Sequence, residues 1–165
     1  MTEATCTARD EEFMRAALQL ARDAADENET PVGAVIVRNN AVLATGRNRR
    51  EYGKNALYHA ELEAIDRACK TLGGWRLPGC TLYVTLEPCP MCAGAIINSR
   101  IERVVYGARD TKAGSFGSVT DLSLLPYNHK PVIVGGCLQE ACAAILTEFF
   151  KALRQRRSAS EESPL

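Results

Sequence analysis

Two short segments carry residue types suited to metal-assisted chemistry: His59-Ala60-Glu61, and further along the chain Pro88-Cys89-Pro90-Met91-Cys92. A Cys-x-x-Cys pair at a helix start aims two sulfurs at one point, and the positive end of the helix dipole favours the thiolate that a metal needs. One imidazole from elsewhere, His59, completes three ligands. Two soft sulfurs with one nitrogen suit zinc better than magnesium or calcium, which prefer oxygen. Structural zinc sites close with four protein ligands. The other candidates are Cys6, Cys69, Cys80, Cys137, Cys142 and His129, and none forms a second pair at ligand spacing. These cysteines read as small core residues, and His129 as a structural or rim residue. The fourth position is thus left for water, whose pKa a bound zinc lowers toward neutrality. Glu61, two residues past His59, is placed to move protons. The alternatives are a redox Cys-x-x-Cys, which leaves His-x-Glu unaccounted for, and a first-turn acid that merely complements a helix dipole.

The surrounding pattern says what must position these residues. Residues 7–28 read as an amphipathic helix, with Phe13, Ala17, Leu20 and Ala24 at helical spacing and Thr7 with Asp10 as a capping box. Residues 32–37 and 41–45 are β-rich and flank Asn39-Asn40, which predicts a hairpin. A polar loop, 46–55, leads to a helix over 59–72 whose apolar face is Leu62, Ile65, Cys69 and Leu72, stopped by Gly73 and Gly74. A strand over 81–86, a short helix over 89–98, strands over 103–106 and 132–134, and a last helix over 138–156 follow. This order predicts an α/β domain of three layers, with a central sheet of about five strands and helices on both faces. Residues 1–157 read as one domain, and 158–165 as a flexible tail.

The chain has 165 residues, 46% hydrophobic and 24% charged, enough for one buried core. The net charge of zero argues against a uniformly basic nucleic-acid coat, but it hides an uneven distribution. Residues 1–30 hold eight acids and three bases, whereas Arg38, Arg47, Arg49, Arg50 and Lys54 follow with only Glu51 against them. Lys151, Arg154, Arg156 and Arg157 form a second basic cluster; solvated loops and a charged helix end are the alternative reading. Seven cysteines, an odd number, and the lack of a secretory start argue against a disulfide framework and for a cytoplasmic protein. No apolar run approaches the roughly 18 residues of a membrane span.

The His-x-Glu and Pro-Cys-x-x-Cys segments together resemble the signature of the zinc deaminases, which hydrolyse an exocyclic amine off a nucleobase and use the glutamate as general acid and base. That signature names a reaction and leaves the substrate open. The resemblance narrows across 30–35, 46–49, 81–97, 107–114, Asn128-His129 and Phe149-Phe150, which are similar to the bacterial tRNA adenosine deaminases of the cytidine/deoxycytidylate deaminase superfamily. It runs from about residue 7 to residue 157.

The resemblance implies a cytidine-deaminase-like fold, one Zn2+ per subunit, and conversion of the wobble adenosine of an arginine tRNA to inosine. The partner would be the anticodon stem-loop, and a homodimer is implied too. It places substrate contacts at Asn48, near the target base, at Asp110, near the ribose, and at Val32. Asn offers a donor and an acceptor to a purine edge, and a carboxylate can accept from a 2′-hydroxyl. Phe149, Phe150, Lys151 and Arg154 of the last helix are candidates for stacking and phosphate contact, with core packing the alternative for the aromatic pair. Leu57 and Tyr58 stand where many relatives carry smaller residues, which would alter the pocket wall. Two other readings stand beside this one: deamination of a free base or nucleoside such as guanine or cytosine, which shares the signature, and a noncatalytic member that binds RNA or a catalytic partner with zinc only structural, which could dispense with the glutamate.

Overall fold

A computed structural model describes residues 4–162. The elements are α1 (Ala8–Asp26), β1 (Gly33–Arg38), β2 (Ala41–Arg47), α2 (Arg50–Gly53), α3 (Ala60–Leu72), β3 (Cys80–Leu86), α4 (Pro90–Asn98), β4 (Arg103–Ala108), a 3-10 turn (Leu122–Leu124), β5 (Val132–Gly135) and α5 (Gln139–Glu161). The strands form one mixed sheet in the order β2-β1-β3-β4-β5. β1 runs antiparallel to β2 and β3, while β3, β4 and β5 are parallel.

Alternation along the strands builds the three layers. Ala34, Ile36, Leu82, Val84 and Val104 pack with the alanines of α3 and with Ala93 and Ile96 of α4. Their neighbours Val35, Val37, Tyr83 and Val105 face the other way, onto Met14, Ala17 and Leu18 of α1 and Cys142 of α5. With both faces covered, the central strands are buried at nearly every position. The expected α/β architecture is the one observed.

The hairpin turn between β1 and β2 is Asn39-Asn40, both at positive φ, 53° and 58°. This is the conformation that a two-residue hairpin loop requires and that asparagine tolerates. At the start of α1, Thr7 and Asp10 form the reciprocal capping box.

Several expectations are corrected. The segment expected as a loop over 46–55 begins inside β2, which extends through Arg47, and contains the single turn α2. The apolar face of α3 is rotated: Ala60, Ala64 and Ala68 are the buried apolar residues, and Ile65, Cys69 and Leu72 pack at the edge. The cause is close approach, since a Cβ at Gly46 would collide with the Ala60 carbonyl and the Ala64 amide. Only small residues fit between α3 and β2. The last helix continues past Ser158 to Glu161, and 163–165 lie outside the described residues. Cys6 and Cys137, read as core thiols, form a disulfide with a Cα–Cα distance of 5.5 Å, because the segments preceding α1 and α5 meet on one face of the sheet. Cys80 and Cys142 are buried, and burial pushes the Cys142 thiol up to about 12.

Candidate active site

The two signature segments converge because each opens a helix on the same face of the sheet. His59 is the N-cap of α3 and Cys89 the N-cap of α4, both with extended backbone, and Pro90 occupies the first turn of α4. Proline is favoured there because its missing N–H would have had no helical partner. Cys92 follows within the same turn, so both sulfurs and the imidazole meet where α3 and α4 begin. His59 Nδ1 lies 3.7 Å from Cys89 Sγ and 3.5 Å from Cys92 Sγ. All three donor atoms lie within 4.8 Å of one another. A tetrahedral zinc with ordinary Zn–S and Zn–N bonds sets sulfur and nitrogen about 3.6 Å apart. The donor set and its spacing therefore fit zinc.

The electrostatics divide the cluster, favouring charge on Cys89 and His59 and the protonated form on Cys92 and Glu61. The hydrogen bond with Cys92 pulls the Cys89 thiol down to about 4 against the opposing effect of burial, and His59 adds to the pull. The bond to Cys89 raises the His59 pKa. Cys92 is pushed up by the same cysteine pair and by burial. Glu61, in the first turn of α3, is 4% exposed, and burial raises its carboxyl pKa. A carboxyl that holds its proton more tightly than usual is suited to both taking and giving one.

His59, Glu61 and Cys89 reach a cleft of about 530 Å³, with Cys92 buried behind them. Val32, Asn48, His59, Glu61, Cys89 and Asp110 all line it. Asn48 is 6% exposed; its Oδ1 accepts from the Arg50 amide at 3.0 Å and its Nδ2 donates to the Thr30 carbonyl at 3.3 Å. Those bonds fix which end of the amide is which. Asp110 Oδ1 accepts from the Lys112 and Ala113 amides at 3.0 and 3.2 Å, closing a turn at the cleft edge.

Other expected positions lie elsewhere. Phe149 and Arg154 are outside the cleft lining, and α5 contributes Leu146 and Phe150 instead. Arg47 and Arg49 are occupied by Glu27 at 2.6 Å and Glu63 at 3.0 Å and line a neighbouring groove. Leu57 and Tyr58 line that groove too, not the cleft wall. His129 Nε2 donates to the Ile101 carbonyl at 2.6 Å, a structural bond. The cations at the cleft are Arg50, Arg109 and Lys112. In the sequence, Arg109 and Lys112 fall within the 107–114 segment, and their flanking of Asp110 is the signal that marks them. Leu146 and Phe150, four residues apart on α5, share a helical face.

A match to the MafB19-like deaminase family spans residues 8–154. The chain belongs to that family. This deaminase is 46% identical over 156 residues to the tRNA-specific adenosine deaminase of Bacillus subtilis (strain 168), covering 94% of this chain and 97% of the relative. Among solved structures, one from work on A-to-I editing by tRNA:A34 deaminases at the wobble position of transfer RNA superposes with a TM-score of 0.78 at 44% identity, covering 82% of this chain and 99% of that one. A guanine deaminase from Nitrosomonas europaea matches with a TM-score of 0.71 at 27% identity, covering 84% and 83%. The fold is thus cytidine-deaminase-like, and the deaminase is an enzyme. Among the described residues, no helix is long and apolar enough to cross a membrane.

Proposed function

We propose that this deaminase hydrolyses adenosine to inosine at the wobble position of tRNA, with the anticodon loop of an arginine tRNA as substrate, and releases ammonia. The observation that carries the reading is the cleft itself, where the buried Glu61 carboxyl, two members of the His59–Cys89–Cys92 donor set, the backbone-fixed Asn48 amide and the Asp110 loop carboxylate line one volume. The near-full-length likeness to a tRNA-specific adenosine deaminase supports the choice of base and polymer.

His59, Cys89 and Cys92 are the residues that would hold one Zn2+, which supplies Lewis acidity and a water of lowered pKa. Glu61 takes the proton of the attacking water and delivers it to adenine N1, then serves the departing amino group. Asn48 retains one N–H and one lone pair beyond its backbone bonds, a donor and an acceptor for the purine edge. Val32 and Leu146 offer apolar walls to the base, and Phe150 a stacking face. The second oxygen of Asp110 is left for a ribose 2′-hydroxyl. Arg50, Arg109 and Lys112 suit the phosphates of a loop whose target base is splayed out. Phe149 and Arg154, outside the cleft lining, are assigned to the stem beyond it.

Residues 1–157 we take as a single catalytic domain of a cytoplasmic enzyme. A homodimer is part of the reading: half-exposed Leu57 and Tyr58, beside the groove of Arg67 and Asp66, present apolar surface to a second copy.

The deciding assay incubates the purified, zinc-loaded protein with a synthetic anticodon stem-loop and, separately, with guanine, cytosine and cytidine. Inosine in the stem-loop with stoichiometric ammonia is the expected result. Turnover of guanine with an inert stem-loop would replace this reading by that of a free-purine deaminase, the activity of the Nitrosomonas europaea relative.

A further inference from the structure

Glu87 lies between the end of β3 and the Pro88-Cys89 segment, is 1% exposed, and contributes to the cleft wall. Among the described residues no cation pairs with it within ion-pair distance. Its carboxylate instead collects donors from one loop. Oε1 accepts from Ser118 Oγ at 2.5 Å, and Oε2 accepts from the Ser118 and Phe116 amides at 3.2 and 3.4 Å.

The backbone on either side continues the seam. Glu87 N donates to the Ala108 carbonyl at 2.8 Å, and Ser115 N donates to the Pro88 carbonyl at 2.9 Å. A Cβ at Gly114 would run into Glu87 Oε2, so the loop approaches the carboxylate as closely as a backbone can. Gly114 in turn donates its amide to the Asp110 carbonyl at 2.8 Å, closing the turn whose first residue faces the cleft. A continuous run of bonds therefore links the residue two before Cys89 to Asp110.

We propose that Glu87 is a positioning residue for the substrate loop: it holds 110–118 at a fixed height above the Cys89 segment, so that Arg109, Asp110 and Lys112 are presented to the ribose and phosphates of the target nucleotide. The chemistry of the side chain matches this task. Three donors converge on it, and a carboxylate offers only acceptors. Glutamine at the same place turns an NH2 toward a donor, and aspartate is one methylene too short to span the same atoms. The inference rests on the RNA reading above for its substrate, and on the loop geometry alone for its structural half.

The test compares wild type, Glu87→Gln, Asp110→Ala and the double variant, all zinc-loaded, on a synthetic anticodon stem-loop with adenosine at the wobble position. Expected for Glu87→Gln is full zinc content, a KM raised about tenfold or more, and kcat within about threefold. If Glu87 acts through the loop, adding Asp110→Ala to Glu87→Gln costs less than about threefold more, whereas independent effects multiply. Multiplying effects, an unchanged KM, or loss of zinc from Glu87→Gln would each overturn the proposal. Ser118→Ala, which removes one donor and keeps the carboxylate, should raise KM in the same direction and serves if Glu87→Gln does not fold. Hydrogen exchange separates this inference from the substrate reading: an inert wild-type enzyme sinks the RNA reading. Faster exchange in peptides of 110–118 of either variant supports the clamp, and unchanged exchange sinks it.

Discussion

Asp10 in the first turn of α1 and Arg103 at the start of β4 form a two-pronged ion pair, with Oδ1 to Nη1 at 2.7 Å and Oδ2 to Nη2 at 2.8 Å. The same carboxylate caps Thr7 and accepts from the Tyr83 hydroxyl at 2.8 Å, so one side chain joins α1 to two strands. Burial raises its pKa, but Arg103, Thr7 and Tyr83 together outweigh burial and hold the carboxyl well below its ordinary 3.8. A carboxylate depressed in the folded state contributes stability that is complete above its unfolded pKa and is lost as pH falls through the folded one. Asp10→Ala should therefore cost about 3–5 kcal/mol at pH 7, because it leaves a partly buried guanidinium without its partner. The gap between wild type and variant should narrow only below the ordinary carboxylate pKa of 3.8. Denaturant titrations at pH 7 and at successively lower pH read both numbers; a gap that is constant down to acid unfolding contradicts the assignment.

Glu61→Gln keeps size and removes the carboxyl proposed to carry protons. The zinc content should match wild type, while kcat on the stem-loop drops by about 10²- to 10⁴-fold, the usual share of general acid–base catalysis. Metal analysis alongside single-turnover kinetics checks this, and turnover near wild type would mean the protons travel by another group.

Gly46 sits where β2 touches the backbone of α3, the helix that His59 and Glu61 begin. Gly46→Ala should destabilise the fold by about 1–3 kcal/mol through overpacking. The strain falls next to Ala60, so kcat should fall along with Tm. A variant with a lowered Tm and wild-type kcat would show that the helix start tolerates the shift.

At the cleft mouth, Arg109→Ala and Lys112→Ala should raise KM for the stem-loop and each flatten the salt dependence of binding by about 0.7 in the log-log slope, the increment of one phosphate contact on a single strand. Arg154→Ala, outside the cleft, should change that slope less. Fluorescence anisotropy with labelled RNA over a salt series measures the ranking, and an equal or larger effect from Arg154 would move the phosphate path to α5.

The convergence of His59, Cys89 and Cys92, with Glu61 beside them, was legible because these are short-range pairs whose spacing is set by a single helical turn each. The layer order was legible as well, since strand alternation and helical periodicity are local. Orientation was harder to read. Periodicity on α3 favoured the large residues Leu62 and Ile65, yet the close approach to Gly46, far away in the chain, puts the alanines inside. The basic residues of 47–54 have only Glu51 against them along the chain, yet Glu27, at the C-cap of α1, and Glu63, in α3, pair with two of the arginines. Adjacent Phe149 and Phe150 gave no sign of which one turns toward the cleft, because that depends on how α5 lies across β4. Glu87 was hidden in plain view: its partners come from a loop with no periodicity at all.

Finally, His59 and Cys89 each stand at the N-cap of a separate helix. An ion gripped there is also a rivet between α3 and α4, so its departure should unseat both helix starts together. With zinc as the proposed occupant, metal supply and folding would become one equilibrium seen from two sides, and the melting curve of this deaminase would double as a gauge of the free zinc around it.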